Sequence, residues 1–250
     1  MLSVHFGYIL GVLFGDGYIN VNSIGMNAKD EDFILMFKAC LEEYFKRECK
    51  IYRYSGLWRV ELHSRHLAGM MKNSDYRIIR DQTNLCKGAF LRGFFDSEGS
   101  AYFFKKRGVR NRKVEICNTN LELMEFCKLL LNDLGIETLR IERRIRGERT
   151  IRGRTLKPFV FYRTTLRENK RNLENFKERV GFSIDRKQKN LDKMISTYAI
   201  EHTDWGDLKE DVISLKGDKT YSEIRKIYHY VPKGTIDCWL YTKRQTKTNK

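Results

Sequence analysis

Two acidic residues stand in matching settings in distant parts of the chain. Asp16-Gly17 closes the segment GYILGVLFGDGYI (7–19), and Glu98-Gly99 closes AFLRGFFDSEGSA (89–101). Overlaid at one constant offset, the segments put Gly11 on Gly93, Asp16 on Glu98 and Gly17 on Gly99. Small residues recur at every fourth position, as Gly7, Gly11 and Gly15 and as Ala89, Gly93 and Ser97. Such stripes let two helices approach closely. Packed along them, the helices would bring both carboxylates together at their C-terminal ends, where helix dipoles are negative. Like charges in one small site cannot both ionise cheaply, and a divalent cation resolves that conflict. Hard oxygen ligands favour Mg²⁺, with Mn²⁺ as a substitute, and such an ion activates water and neutralises charge building on a phosphate. A single Asp-Gly or Glu-Gly reads as a helix end followed by a turn. The matched pair reads as a phosphodiester-cleaving site.

The elements that must position this pair also recur. YRIIRDQTNL (76–85) resembles FSIDRKQKNL (182–191), with Ile78 on Ile184, Arg80 on Arg186 and Gln82 on Gln188. The wider spacing of this second pair assigns an insertion to repeat two, in the basic stretch around 137–157. Repeat one is therefore set at 1–83, repeat two at 84–199 and a different C-terminal segment at 200–250. Residues 30–47 and 120–136 carry apolar residues at helical spacing, the second ending at Gly135 as a helix C-cap would. VNSIGMN, CKIYRYS and LWRVELH, then AYFFKKR, RKVEICN, TLRIERRIR and FVFYRTT, read as strands. In LWRVELH, Trp58, Val60 and Leu62 alternate with Arg59, Glu61 and His63. In TLRIERRIR, Leu139, Ile141 and Ile145 alternate with Arg140, Arg144 and Arg146, giving one apolar and one basic face. The order is helix-strand-strand-helix-strand-strand-helix, twice.

Lys and Arg number 48 against 32 Asp and Glu, a formal charge of +16 that excludes an acidic or neutral surface. With 41% hydrophobic and 12% aromatic residues, the chain has material for a core and is not a disordered polycation. A charge of this size answers a polyanion, most commonly nucleic acid. The six cysteines form no C-x-x-C pair, so neither a zinc site nor a disulfide framework is supported. The N-terminus lacks signal-peptide features and no apolar run is long enough for a membrane span. The expected compartment is intracellular, a prokaryotic cytoplasm or an organelle matrix, without a membrane partner. Candidate DNA-contacting residues are Tyr18, Tyr52, Arg53, Arg59, Arg80, Tyr102, Lys105, Arg107, Arg112, Arg140, Arg144, Arg146 and Arg163. Arginine on a strand can pair bidentately with guanine edges, and other cations bind phosphate.

Residues 200–250 repeat nothing before them. Leu208, Val212 and Leu215 have helical spacing, Thr220 can cap a helix holding Ile224 and Ile227, and Val231-Pro232 forms a turn. Lys233 then opens a helix with Ile236, Trp239 and Leu240 inward. This resembles a helix-turn-helix whose Lys233, Thr235 and Asp237 would face a groove; a three-helix packing cap is the alternative. Lys243, Arg244, Lys247 and Lys250 are expected to form a disordered, phosphate-touching arm.

On these residues the chain resembles the single-chain, two-motif LAGLIDADG homing endonucleases: ILGVLFGDG (9–17) and LRGFFDSEG (91–99) look like the two motifs, the second closely. The first departs at Phe14 and Gly15 but keeps the acid and final glycine. The resemblance spans residues 4 to about 196. It implies an α+β fold of two pseudo-symmetric αββαββα repeats, with saddle-shaped antiparallel sheets over DNA and the C-terminal residues as a small all-α domain. It also implies a monomer that cuts both strands of its target across the minor groove, as in intron or intein homing, leaving short 3′ overhangs. The family's metal-bridging acids fall on Asp16 and Glu98. Lys29 matches a position where some members carry lysine, and its repeat-two counterpart is Thr119 beside Asn118. Arg186 or Lys187, with Arg80 opposite, would supply the positive charge that steadies the phosphate. Two rival readings use the same scaffold, a non-catalytic DNA-binding regulator and an intron RNA-splicing maturase. The retained acids argue against the first.

Overall fold

Helix α1 (Val4–Leu13) and helix α4 (Asn84–Glu98) pack along the small-residue stripe. A Cβ added to Gly11 would overlap the carbonyl oxygen of Phe90, and one added to Gly93 would overlap that of Tyr8. The two backbones are therefore in direct contact. Helix α1 is apolar all round and buried from Phe6 to Leu13, as expected of a helix enclosed by protein. Ser3 caps its start by accepting from the backbone N–H of Phe6 at 3.2 Å. Across the pair, the Tyr8 hydroxyl donates to Asp96 Oδ2 at 2.8 Å.

The computed structural model describes residues 3–106, 109–151, 154–198, 205–229 and 231–241. Backbone contacts divide the chain into two units, residues 1–195 and residues 196–250. After α1 come β1 (Gly17–Ile19), β2 (Ser23–Ala28), α2 (Glu31–Phe45), β3 (Lys50–Tyr54), β4 (Leu57–His63) and α3 (Arg65–Lys72), then a 3₁₀ turn at Tyr76–Ile79. After α4 come β5 (Gly99–Lys106), β6 (Val109–Asn118), α5 (Leu121–Asp133), β7 (Glu142–Arg146), β8 (Arg149–Ile151), β9 (Arg154–Leu156), β10 (Phe159–Thr165), α6 (Lys170–Arg179) and α7 (Asp185–Ser196). The fold is α+β. Two four-stranded antiparallel sheets have the orders β1-β2-β4-β3 and β5-β6-β10-β7, so β7 and β10 stand where β3 and β4 stand in the first sheet.

In sheet one, the turn between the last two strands in sequence is Ser55-Gly56, both at positive φ. In sheet two the corresponding connection contains the β8–β9 ribbon, so the insertion falls within the expected basic stretch. One face of each sheet packs on helices. Ile24, Met26, Val60 and Leu62 are buried with Phe33, Ile34 and Phe37, and Val114 and Ile116 are buried with Leu123, Met124 and Cys127. As expected, α5 gives way to Gly135 at φ +69°, which lets the chain turn back. No helix among the described residues is long and apolar enough to cross a membrane.

Two expectations need correction. The strand expected over 138–146 begins only at Glu142, preceded by an isolated bridge of Thr138 to Leu166, and Leu139 and Ile145 are exposed rather than buried. β6 pairs with β10 only over Tyr162–Thr165, so the far ends of β7 and β10 overhang the sheet and have too little structure behind them to bury an apolar face. Glu61, on the polar face of β4, is buried at 9% exposure, because neighbouring polar side chains fold over it.

The second unit holds α8 (Trp205–Ser214), α9 (Tyr221–Ile227) and α10 (Lys233–Tyr241) around Val212, Ile224, Tyr228, Val231, Ile236 and Leu240. Thr220 and Glu223 form a reciprocal capping box at the start of α9. Ile227 is exposed, not inward, and Trp239 is only partly buried. The expected basic arm at Lys243, Arg244, Lys247 and Lys250 lies outside the described residues.

Candidate active site and nucleic-acid interface

The seam between α1 and α4 decides where the two acids lie. Glu98 is the last residue of α4, and Asp16 follows the end of α1 in the turn before β1. A Cβ on Gly15 would meet Ser97 and, at 3.3 Å, Glu98 Cγ, so the helix ends converge. Burial raises the pKa of Glu98 to about 7; the charge of Asp16 adds to the rise, while a hydrogen bond from Asn118 and the charge of Lys187 oppose it. The surrounding protein also raises the Asp16 carboxyl against the pull of Lys187, although Asp16 keeps an exposed surface. Asn118 Nδ2 donates to Glu98 Oε1 at 2.8 Å, holding that carboxylate in place.

Of the two cations in the closing segment, the structure brings Lys187 to this region. Lys187 is 5% exposed, and its Nζ donates to the carbonyls of Phe95 (3.0 Å) and Asp96 (2.6 Å) at the negative end of α4. Burial lowers its pKa to about 8, although the charges of Asp96 and Asp16 act the other way. Arg186 makes a two-pronged ion pair with Asp30, 2.8 Å at each contact. Lys29 is exposed at the end of β2.

Asp96 was not singled out from the sequence. It is 1% exposed, accepts from Tyr8 and from the backbone N–H of Ser183 (2.9 Å), and burial raises its pKa despite these bonds. Helical spacing from Ala89 and Gly93 puts position 96 on the packed stripe. An acid there must find a donor on a neighbouring element.

Strand register sorts the expected DNA-contacting residues by face. In sheet one, Tyr18, Tyr52 and Arg59 share the face away from the helices. The Arg59 guanidinium lies 5.2 Å from the ring centre of Tyr18 and 5.1 Å from that of Tyr54, and it donates to Glu61 at 3.0 Å. Glu61 also accepts from Ser23 and Tyr52. In sheet two, Tyr102, Arg144, Arg146 and Arg163 share the open face, with Arg163 donating to Glu142 at 3.0 Å.

Other candidates lie elsewhere. Arg53 is on the helix side of sheet one, stacked 3.5 Å from the ring centre of Trp58, because neighbouring strand residues point opposite ways. Arg112 is on the helix side of sheet two, paired with Glu168 at 3.1 Å. Arg80 and Arg140 are exposed outside the strands. Arg107 and the side chain of Lys105 lie outside the described residues. In the second unit, Lys233 is exposed and Thr235 partly so, whereas Asp237 is engaged by the Tyr221 hydroxyl and turned into the unit.

A model of the LAGLIDADG-like domain matches residues 86–181. Together with a relative of which the chain covers 73% at 30% identity, this match shows that the chain belongs to the LAGLIDADG family. That relative is Uncharacterized protein MJ0398 of Methanocaldococcus jannaschii, aligned over 211 residues and 78% of this chain. Uncharacterized protein MJ0314 of the same organism is 37% identical over 145 residues, 52% of this chain and 54% of its own length. Among solved structures, mesophilic variants of the homing endonuclease I-DmoI align over 71% of this chain and 94% of theirs, at 18% identity and a TM-score of 0.48. Full-length DUF199/WhiA from Thermatoga maritima aligns over 96% of this chain and 90% of its own, at 14% identity and a TM-score of 0.48. I-DmoI has been crystallised in complex with DNA and Mn.

Proposed function

We propose that the chain is a site-specific double-strand DNA endonuclease of the intron or intein homing type that uses a divalent metal, Mg²⁺ or Mn²⁺, and acts as a monomer. One observation carries this reading: Asp16 and Glu98 stand at the converging ends of one helix seam, where a Cβ on Gly15, next to Asp16, would lie 3.3 Å from Glu98 Cγ. Two adjoining carboxylates, each raised in pKa by the surrounding protein, suit a hard dication. Mg²⁺ commonly takes one or two protein carboxylates and fills its shell with water and substrate phosphate; among the described residues no three His, Cys, Asp or Glu cluster as ligands. When bound, the ion would activate a water and neutralise charge on the phosphate.

The chain's own residues do the rest. Asn118 fixes the Glu98 carboxylate, Lys187 offsets negative charge at the end of α4, and Lys29 offers a cation on the side of repeat one. The open sheet faces, with Arg59 and Arg163 held by carboxylates, would lie against the duplex. The second unit would bind DNA beside the core site through the exposed start of α10. Two repeats in one chain already supply both halves of the site, so one protein per duplex suffices.

The test uses a duplex selected by the full-length chain from a randomised library. With Mg²⁺ the wild type should cut both strands, and Asp16→Asn or Glu98→Gln should stop cutting while binding persists. Full activity in either variant would remove these acids from the chemistry. Tight binding by the wild type without any cut would point to a non-catalytic regulator, and preference for structured intron RNA to a maturase.

A further inference from the structure

A cavity of about 240 Å³ opens beside Glu98, walled by Asn118, Thr119, Arg146, Phe159 and Phe161. Its volume is below the roughly 300–1,000 Å³ of sites that enclose a whole small molecule. An open cavity of this size suits one unit of a polymer whose remainder lies outside. Its lining is mixed in a particular way. The Arg146 guanidinium stands 5.5 Å from the ring centre of Phe161 and 6.0 Å from that of Phe159, so aromatic faces hold the cation on one side. Asn118 and Thr119 supply polar atoms on the strand end that also holds Glu98.

The residues that wall the cavity have no like residues at the matching places in repeat one. Register sets Asn27 opposite Arg59 and Arg59 opposite Tyr52, and sets Cys117 opposite Arg163 and Arg163 opposite Glu142. Counting along from these matched rows, Gly56 takes the place of Arg146 and Leu57 that of Phe161. A Cβ added at Gly56 would meet nothing within 4 Å, so that side is bare. The continuation of β7 and β10 beyond the end of β6 carries Arg146 and Phe159 past Asn118 and builds the wall.

We propose, resting on the endonuclease reading, that this cavity is a one-sided nucleotide subsite. Arg146 holds a backbone phosphate next to the scissile bond in the strand lying against repeat two, and Phe159 and Phe161 take the apolar face of its deoxyribose. Arginine suits the phosphate because its planar fork donates to two oxygens at once. The two strands of the target are thus held by unlike sites, and only one of them depends on Arg146.

The experiment labels the two 5′ ends of the library-selected duplex differently and follows each strand in a single turnover with saturating full-length enzyme and Mg²⁺. Arg146→Ala should slow cutting of one strand on the order of tenfold more than the other, as misplacement near the reacting atoms does. Phe161→Leu, which copies repeat one, should shift the ratio in the same direction, and Arg146→Lys should restore part of it. Equal slowing of both strands, or no change, overturns the subsite. Should the wild type bind and not cut, the nuclease reading fails, and the subsite is judged by hydroxyl-radical footprinting of the same duplex. Wild type should then protect a central deoxyribose on one strand that Arg146→Ala leaves open, and identical footprints would sink it.

Discussion

Arg59 and Arg163 occupy equivalent stations in the two sheets, opposite Asn27 in the first and opposite Cys117 in the second. Each is held by acid, Arg59 by Glu61 on its own strand and Arg163 by Glu142 on the neighbouring strand, with Glu115 at 3.7 Å. The carboxylates point each guanidinium across the open face and limit the rotamers it must give up on binding. The same station thus keeps an arginine while its support has changed.

Arg59→Ala and Arg163→Ala should each weaken binding to the selected duplex and reduce the slope of log affinity against log salt by about one unit if the lost contact is to phosphate. Titrations at several salt concentrations measure this. A change in base preference with an unchanged slope would assign that arginine to a base edge instead.

Glu61→Gln should reduce stability by about 1–3 kcal/mol, because it removes a buried charge partner from Arg59. Burial works to raise the pKa of Glu61, but hydrogen bonds from Ser23 and Tyr52 and the charge of Arg59 outweigh it, so the net shift is downward. The wild-type advantage should therefore be present above the unfolded pKa of 4.5 and fade as pH falls through the lower folded value. Urea unfolding of both proteins from neutral to acid pH reads the difference.

Glu98 has the opposite sign. Its folded pKa of about 7 exceeds the unfolded 4.5, so between these values the native state binds more protons and stability falls as pH rises. Without metal, Glu98→Gln should be more stable than wild type above pH 7, by an amount on the order of 1 kcal/mol after allowing for solvent screening, and the gain should vanish below the unfolded pKa. Melting temperatures at acid and alkaline pH supply the check; added Mg²⁺ should stabilise the wild type and erase the difference.

Gly11→Ala and Gly93→Ala should each destabilise by about 1–3 kcal/mol or more, since the new methyl meets a carbonyl oxygen of the facing backbone. Gly69→Ala in α3, where nothing lies within 4 Å, should instead stabilise by about 0.5–1 kcal/mol. In the second unit, Ile236→Ala removes a fully buried side chain and should cost about 2–5 kcal/mol there, whereas Lys233→Ala should weaken DNA binding and leave folding intact. Denaturant unfolding compares all five, and a DNA-binding titration checks Lys233→Ala.

The helix seam, most of the strands and the place of the insertion were legible because each has a local signature: small residues at helical spacing, period-two alternation, and two matched segments whose separations differ. What alternation could not reveal was how far a strand extends beyond its neighbour. That overhang exposes Ile145, which the pattern read as half of a buried face. Nor does proximity in sequence place side chains together: Tyr52 and Arg53 are neighbours that point to opposite sides of sheet one. Asp96 escaped notice, and Lys187 could not be told apart from Arg186, for another reason. Their charges suggested solvent, and only the convergence of α4 with the start of α7 shows that both are buried at one helix end.

The direct contact of backbones along the α1–α4 seam separates two tasks. The helix ends carrying Asp16 and Glu98 are positioned by main chain against main chain, with glycine at the closest points, so substitutions on the open sheet faces act on parts that do not set that spacing. A lineage, or an engineer, can exchange the side chains of those faces while the gap between the paired carboxylates stays as it was. If the chain is the nuclease proposed, new addresses can be written onto the sheets without recalibrating the blade.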